Sequence, residues 1–400
     1  MKRFVVWGFG LLALAGPPIA VFQSNGLAAL AVLGAVVVLL GLFGRGQGAA
    51  FWRQPLTILI TLLLLWMVLT GFWSLSPADT YSTLQGLAPA MLAGAALVAG
   101  ARVLQPGEVQ SLARLLLFSY ALLIGLLGLE LLTGGFLLGA YHGLKQVPFT
   151  FAVTMLSRGV VLAILLSWAT AILLLRQQRT WLAAAAVIAA VAIAFGSGSY
   201  AGRTAAIVGV LVFGFVLLLR HRGLIIVLAA LLAFSATIPL LPQGPLDPEA
   251  NAAWLGPFRN SGLHRLYIWR FAAERVAEHP LRGWGLDAAR SMPGGEAPSP
   301  VGGQLMMMHP HNGPLQVWLE LGLPGILALL ILLVLIGRGI LTRAAHQPTQ
   351  AALGAVLVAG FAVLCLGFGI WQTWWVGAMG MTAGWLVLAC RVPIGGRSQS

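Results

Sequence analysis

The chain has 400 residues, of which 59% are hydrophobic and 8% are charged, and its 23 basic and 10 acidic residues give a formal net charge of +13. So few charges cannot coat the surface of a soluble protein of this length. The composition therefore excludes a set of soluble domains and indicates a polytopic membrane protein.

Apolar runs recur along the chain. The stretches LTILITLLLLWMVLTGFW (56–73) and AALGAVLVAGFAVLCLGFGI (351–370) are each long enough to cross a bilayer, which takes about 20 apolar residues per helix. We therefore expect an all-α membrane protein with about twelve transmembrane helices. The predicted spans lie near 4–22, 26–44, 55–73, 86–104, 111–134, 152–175, 181–196, 202–219, 224–241, 315–337, 351–370 and 374–391.

The basic residues predict the orientation of these spans, because lysine and arginine accumulate in short cytoplasmic segments. We expect both termini in the cytoplasm. The net charge then reflects topology, and no nucleic-acid partner is needed to explain it. With this orientation, 14 of the 23 bases are cytoplasmic: Lys2, Arg3, Arg45, Arg53, Arg102, Arg114, Arg176, Arg179, Arg220, Arg222, Arg338, Arg343, Arg391 and Arg397.

One long connection, 242–314, separates predicted spans nine and ten and lies on the outer face in this topology. It divides the chain into helices 1–9 (1–241), an outer loop (242–314) and helices 10–12 with a cytoplasmic tail (315–400). Long loops in compact proteins are usually functional or disordered. Within this one, SGLHRLYIWRFAAERVAEHP predicts a short amphipathic helix on the membrane surface, capped by Ser261 and stopped by Pro280.

Polar side chains collect where the tenth span begins, in MMMHPHNGPLQVWLELG (306–322). Asn312 is expected to cap this helix. Asn312, Gln316 and Glu320 are spaced i, i+4, i+8 and form one polar stripe, with His311 at its mouth. A carboxylate at that depth should face a partner or a wet cavity. The alternative is structural: Asn312 only caps, His311 lies among headgroups and Glu320 pairs with a nearby group.

Three arginines are placed on the same outer side. Arg203, in GSGSYAGRTAAIVGV (196–210), opposes both the positive-inside bias and the helix dipole and therefore needs an anion; snorkelling to lipid phosphates is the alternative. Arg158 lies early in the sixth predicted span, also on the outer side, and the same argument applies to it with less force. Arg265 lies on the predicted surface helix and by itself is weak evidence for an anion site. Arginine binds phosphate in a bidentate way, and histidine accepts protons near neutral pH. The residues therefore indicate a membrane enzyme or transporter that handles a phosphorylated lipid.

The order of three motifs resembles the O-antigen ligase and O-antigen polymerase superfamily of bacterial envelope glycosyltransferases. The motifs are SGSYAGR, then HRLYIWRFAAERVAEHPLRGWGLDAAR, then HPHNGPLQVWLELGLPG, and they cover roughly 190–325. His309 offers a second candidate histidine, but Asn312 directly follows His311, which favours His311. The positions that match the family pattern are Arg203, Arg265, Trp269, Pro280, Gly283, Gly285, His311, Asn312, Gln316 and Glu320.

The resemblance implies an O-antigen ligase that transfers a glycan from undecaprenyl diphosphate to a sugar hydroxyl of lipid A-core on the periplasmic face. His311, Arg203 and Arg265 would be catalytic: His311 would orient or deprotonate the hydroxyl, and the two arginines would hold the diphosphate. The implied substrate-binding residues are Arg158, Asn312, Gln316, Glu320 and Trp269.

We expect inversion at the anomeric carbon, no cofactor and no metal. The acidic residues Asp79, Asp247 and Glu249 are too scattered to form a metal site. A polymerase of the same superfamily is the alternative, and a lipid or polysaccharide transporter is a more remote one. Transporters usually show balanced halves, whereas the long loop and the convergent motifs all fall in the second half of this chain.

Overall fold

The structure, a computed structural model, describes residues 3–255, 260–343 and 346–396. Within these ranges it is helical, with no β-strand and one isolated bridge between Pro298 and Gln304. The helices are α1 (Phe4–Phe22), α2 (Leu27–Gly44), α3 (Gly48–Trp52), α4 (Pro55–Thr70), α5 (Pro77–Arg102), α6 (Pro106–Leu132), α7 (Phe136–His142), α8 (Phe149–Arg176), α9 (Thr180–Gly196), α10 (Tyr200–Thr237), α11 (Pro248–Leu255), α12 (Asn260–Glu278), α13 (Gly313–Arg343), α14 (Gln347–Leu366) and α15 (Thr373–Cys390).

In the described ranges, nine helical segments are long and apolar enough to cross a membrane, which confirms an all-α polytopic membrane protein. Two further predicted spans are shorter apolar helices, α4 and α9. The eighth and ninth predicted spans are the two halves of α10, which contains a non-helical residue, Arg220, with φ 56° and ψ −140°. The count of twelve, the division at 241 and 314 and the membrane orientation stay predictions.

The bundle has two polar ends. One end, called the arginine end, contains four arginines: Arg45, Arg102, Arg176 and Arg391. Arg391 donates to the carbonyls of Ala101 and Leu104 at 2.7 Å each, and Arg176 donates to Val392 O at 2.5 Å. Arg158 and Arg176 both lie on α8, and the part of the helix between them is roughly 27 Å long at about 1.5 Å per residue. The other end, where Arg158 lies, is called the site end.

Helix α12 confirms the amphipathic helix predicted in the long connection, but two details differ. The helix begins at Asn260, so Ser261 lies in its first turn instead of capping it. Leu266, Trp269, Ala273 and Val276, which share one face at i, i+3, i+7 and i+10, are buried, and so are residues on other faces: Leu263, Tyr267, Ile268, Phe271 and Ala272. The helix packs in an apolar cluster with Ile238, Leu315 and Leu319. Much of the helix is therefore packed into the protein core, and its position relative to the membrane surface stays a prediction.

Helix α13 is broken at Gly322, where φ is 60° and ψ is −152°. The segment 280–285 fills the break: Trp284 N–H donates to Leu319 O at 2.9 Å, Gly285 N–H to Glu320 O at 2.9 Å, and Leu323 N–H to Pro280 O at 3.0 Å. A Cβ atom on Gly283 would lie 2.4 Å from Glu320 O. The first glycine of the Gly-x-Gly motif is thus explained by contact between two backbones, which satisfies the groups that the break frees. The second is explained by Ser74, whose Cβ would lie 2.5 Å from a Cβ on Gly285.

Candidate active site

The polar stripe on α13 is present and buried. Leu315 N–H donates to Asn312 Oδ1 at 3.2 Å, so Asn312 caps the helix as predicted. Gln316 Nε2 donates to Glu320 Oε1 at 3.0 Å. The exposed fractions of Asn312, Gln316 and Glu320 are 1%, 2% and 0%. Polar groups buried this deeply must be paired or cost free energy, so the partners of each atom indicate its role.

Glu320 is held entirely by protein donors. Besides Gln316, its Oε2 accepts from the backbone N–H of Asp287 at 2.6 Å and from Trp371 Nε1 at 2.5 Å. These contacts join α13 to two segments distant in sequence, 283–287 and 367–372. The contacts favour the structural alternative for Glu320, in which it holds the walls of the site in place.

The segment 367–372, between α14 and α15, is a part of the site that the sequence did not predict. His311 Nδ1 lies 3.3 Å from Gly367 O, and Ile370 N–H donates to Gln316 Oε1 at 3.2 Å. A Cβ on Gly367 would lie 2.9 Å from Val363 O and 3.2 Å from Ala201 Cβ. This segment therefore lies between the histidine and the start of α10.

His311 has one ring nitrogen fixed by a backbone carbonyl. Because a carbonyl oxygen can only accept, Nδ1 carries the proton, and in the neutral ring Nε2 has the free lone pair. Burial lowers the pKa of His311, and the nearby Arg265 and His264 lower it further, while the Gly367 carbonyl opposes the shift. The side chain is thus neutral at pH 7 and has one nitrogen available to accept a proton.

His309 contacts His311 in two ways. Its Nδ1 accepts the backbone N–H of His311 at 3.2 Å, and the two ring centres lie 4.3 Å apart. Burial and the charges of His311, Arg290 and Arg265 lower the pKa of His309 to about 3. The sequence spacing does not connect His309 with the polar stripe, whereas in the structure its side chain is bonded to the backbone of His311, at the mouth of the stripe.

Arg265 and Trp269 lie on α12, and the turn that carries His311 packs against this helix. Trp269 Nε1 donates to Pro310 O at 2.9 Å, which pins that turn to the helix. Arg265 lies close enough to both histidines to lower the pKa of each. The Arg265 guanidinium is half-buried, and it forms no hydrogen bond or ion pair in the part of the chain that the structure describes.

Asn312 provides a second donor without a partner. Its Nδ2 is buried and has no hydrogen-bond partner among the described residues, although its Oδ1 caps α13. A buried donor that is left unsatisfied costs about 1–3 kcal/mol. Each such group in a native structure calls for an explanation, and a catalytic role is one. Arg265 and Asn312 therefore mark where a substrate oxygen atom could bind.

Four more side chains in this region were missed by the sequence interpretation: Thr83, His264, Asp287 and Arg290. Arg290 Nη2 donates to Asp287 Oδ1 at 2.9 Å, Thr83 Oγ1 donates to Asp287 Oδ2 at 2.7 Å, and Arg290 also lowers the pKa of His309. His264 Nε2 lies 2.9 Å from Gln304 O. No short motif marks Thr83 and His264, because their partners lie 204 and 40 residues away in the chain. Arg290 and Asp287 are only three residues apart.

Arg158 and Arg203 lie at the site end, but their described contacts do not include His311 or Arg265. Arg203 donates to the carbonyls of Ala194 at 3.4 Å and Phe195 at 2.8 Å, and so caps the last turn of α9. Arg158 donates to Asn25 Oδ1 and lies 5.1 Å from the centre of the Trp374 ring. The starts of α8 and α10 are joined by the Ser157 and Ser199 hydroxyls at 2.6 Å.

The acidic residues considered as metal ligands have other partners. Arg270 pairs with Asp247 at 3.5 Å and with Glu249 at 3.1 Å, and Asp79 accepts from Ser76 Oγ at 2.7 Å. Across the described ranges, no group of three His, Cys, Asp or Glu side chains is arranged to hold a metal ion. Metal independence stays a prediction that only an experiment can test.

These features define the class: an all-helical, multi-pass membrane protein with a buried polar site at one end of its bundle. Residues 185–330 match the family model of the O-antigen ligases, which confirms the resemblance predicted from the motifs. The match includes Arg203, Arg265 and the whole polar stripe. Arg158 and the segment 367–372 lie outside it.

Curated bacterial relatives agree with this match. A protein of Rickettsia conorii is 25% identical over 234 residues, which are 57% of this chain and 56% of the relative. A protein of Rickettsia typhi is 26% identical over 241 residues, which are 59% of each chain. Both are named putative polysaccharide ligases. The chain thus spans between 56% and 59% of the length of these relatives, and at family level the matches support a ligase-type, glycosyltransferase-like enzyme.

Proposed function

We propose that this protein is an O-antigen ligase of the bacterial inner membrane. It transfers a glycan from undecaprenyl diphosphate to a sugar hydroxyl of lipid A-core at the periplasmic face. One observation carries the proposal: His311, with Nδ1 held by a carbonyl and Nε2 free, lies near an arginine without a described partner. The family match over 185–330 supports the same reaction class.

In the proposed reaction, the acceptor hydroxyl attacks the anomeric carbon of the donor glycan. The hydroxyl proton passes to His311 Nε2, a new bond forms between the acceptor oxygen and the anomeric carbon, and the bond from that carbon to the phosphate oxygen breaks. Undecaprenyl diphosphate leaves with the bonding electron pair. Attack from the face opposite the leaving group inverts the anomeric centre. A neutral histidine suits this role, because a general base must be unprotonated at the working pH.

The positive charge for the leaving diphosphate comes from arginine. Arg265 is the first candidate because its guanidinium is not occupied by any described partner. Arg203 and Arg158 are proposed as further contacts to the donor, since both lie at the site end and arginine binds phosphate oxygens through two N–H groups at once. Charge placed where the leaving group develops charge lowers the barrier electrostatically.

Among the remaining predicted site residues, all but one are proposed to position other groups and not to contact the substrate. Glu320, Gln316 and Trp269 hold the segments around His311, since their polar atoms are already bonded to protein groups. Asn312 is the exception: its Nδ2 is proposed to donate to a sugar or phosphate oxygen of the substrate.

Periplasmic location is tested by labelling single cysteines with a membrane-impermeant maleimide in intact spheroplasts, after the buried Cys365 and half-buried Cys390 are replaced. Ala297 is exposed in the connection before α13, and Thr180 is exposed next to the arginine end. We expect Ala297→Cys to be labelled and Thr180→Cys to be labelled only after lysis. The opposite pattern would contradict a periplasmic site.

The reaction is tested with purified protein in liposomes that contain a glycan on undecaprenyl diphosphate and lipid A-core, with the products separated by size. We expect lipid A-core to gain the glycan, and activity to persist in EDTA. Growth of the lipid-linked glycan itself would identify a polymerase. Movement of the donor between leaflets without a covalent product would identify a transporter.

A further inference from the structure

His309 lies outside the proposed reaction, yet it makes direct contact with the residue that performs it. Its ring lies against the His311 ring at 4.3 Å between centres and on Gly369, where an added Cβ would lie 3.0 Å from His309 Cδ2. The His309 ring is thus enclosed between the His311 ring and the segment 367–372. Its Nδ1 faces along its own chain, toward the backbone of His311.

The backbone of His311 has an unfavourable conformation. Its φ is +50°, in the left-handed region that residues other than glycine seldom adopt. Such a conformation persists only where surrounding contacts determine it. Here the N–H of His311 donates to Nδ1 of His309, two residues earlier. This side-chain acceptor closes the same kind of turn that asparagine and aspartate close with Oδ1.

The turn is fixed at two further points. Trp269 Nε1 donates to Pro310 O at 2.9 Å, and the proline ring restricts φ of the central residue. At the far side, His311 Nδ1 is held by Gly367 O. Of these contacts, only the bond to His309 is made by the backbone N–H of His311. It therefore fixes the backbone conformation at His311, and with it the direction in which the imidazole points.

We propose that His309 is a positioning residue: its Nδ1 accepts the backbone N–H of His311, and this bond aims His311 Nε2 at the acceptor hydroxyl. The inference rests on the proposed function, in which His311 is the base. In this proposal His309 does not contact the substrate. A side chain at position 309 should therefore support transfer only if it has a hydrogen-bond acceptor at the place of Nδ1.

Three substitutions separate positioning from chemistry. In His309→Asn, Oδ1 is the same number of bonds from the backbone as Nδ1, so the turn can close. In His309→Gln, a polar atom reaches the distance of Nε2 but not that of Nδ1. His309→Leu fills much of the space and offers no acceptor. A direct chemical role through Nε2 would favour glutamine over asparagine, whereas the positioning role favours asparagine.

Transfer is measured as kcat and KM for the lipid-linked donor in liposomes. We expect His309→Leu and His309→Gln to lose about 10²-fold in kcat, as misplacement of a reacting group does. Their donor KM should change little. His309→Asn should stay within about tenfold of the wild type, since it keeps the hydrogen bond. Equal losses in all three, or better activity with glutamine than with asparagine, would overturn the proposal.

Hydrogen–deuterium exchange across residues 309–313 tests the turn independently of the transfer reaction. The amide of His311 should stay protected in His309→Asn and should exchange faster in His309→Leu. Equal exchange in the two variants would refute the inference. The failure of the proposed function would look different: His311→Ala would retain transfer, whatever the variants at position 309 do.

Discussion

The two ends of the helical bundle differ in how their arginines are bonded: at the site end Arg158 and Arg203 donate to protein groups, as the arginines at the other end do, but Arg265 donates to none that the structure describes. At the arginine end, Arg45 pairs with Glu108 at 2.6 Å, and Arg102, Arg176 and Arg391 donate to an amide oxygen or to carbonyls. At the site end, Arg265 is half-buried without a described partner, and the buried Nδ2 of Asn312 is also unsatisfied. The first set of contacts holds helices together, while the second leaves donors available to a ligand.

This difference has an energetic meaning. A folded protein gains nothing from an unsatisfied buried donor, which costs about 1–3 kcal/mol. The unsatisfied Nδ2 of Asn312 and the half-buried guanidinium of Arg265, which has no described partner, lie beside a histidine with one free nitrogen. A substrate that completes their bonds explains them best. Substitutions at the arginine end should affect folding, and substitutions at the site end should affect transfer. The predictions below test this separation.

The largest effect is expected from His311→Ala. General acid–base help contributes about 10²–10⁴-fold, and the variant also loses the contact with Gly367, so transfer should fall by at least about 10²-fold. Binding of undecaprenyl diphosphate should persist, because the arginines remain. The rate and the binding are measured on the same purified sample. Near-normal transfer by His311→Ala would remove the histidine from the mechanism and leave it as a residue at a helix start.

A smaller effect is expected at Asn312, where two substitutions separate its two amide atoms. Asn312→Ser keeps an oxygen that can cap α13 but removes the Nδ2 donor, so transfer should fall by about tenfold while stability changes little. Asn312→Ala also removes the cap and should cost about 1 kcal/mol of stability. Thermal unfolding and transfer rate are compared for both variants. If Asn312→Ser transfers at the wild-type rate, the unsatisfied amide does not serve the substrate.

The smallest effect is a shift in pH dependence. Because burial, Arg265 and His264 lower the pKa of His311 below its ordinary value of 6.5, the neutral, active ring persists to lower pH. The acid limb of the transfer rate should therefore lie below pH 6.5. Single-turnover rates between about pH 5 and about pH 8 locate it. A limb centred at or above pH 6.5 would show that another group titrates.

The sequence predicted those parts of the site that depend on local spacing. The stripe of Asn312, Gln316 and Glu320 follows from helical periodicity, and the cap follows from an asparagine before a glycine and a proline. The Gly-x-Gly motif was recognised as a family feature, but its cause was not predicted. Glycine is required at 283 because the backbone of α13 lies against it, and only the structure shows that approach.

The contacts made by residues 367–372 could not be predicted. Gly367 holds His311 through a carbonyl oxygen, and Ile370 holds Gln316 through an N–H; every residue but proline has both groups, so no side chain marks them. These partners lie 56 and 54 residues away in the chain. The spans predicted at 202–219 and 224–241 likewise form one helical element, α10, in the structure. The hydropathy pattern ends one span just before Arg220, and the backbone is non-helical at that residue.

The most direct test of the account compares Arg265→Gln with Arg45→Gln, one substitution at each end. Unfolding temperature, binding of undecaprenyl diphosphate and transfer rate per folded molecule are measured for both. We predict that Arg265→Gln weakens donor binding and transfer at an unchanged unfolding temperature. Arg45→Gln should lower the unfolding temperature and leave the transfer rate per folded molecule intact. If Arg265→Gln destabilises the fold while it binds and transfers the donor normally, the claim that the site end is reserved for a diphosphate is wrong.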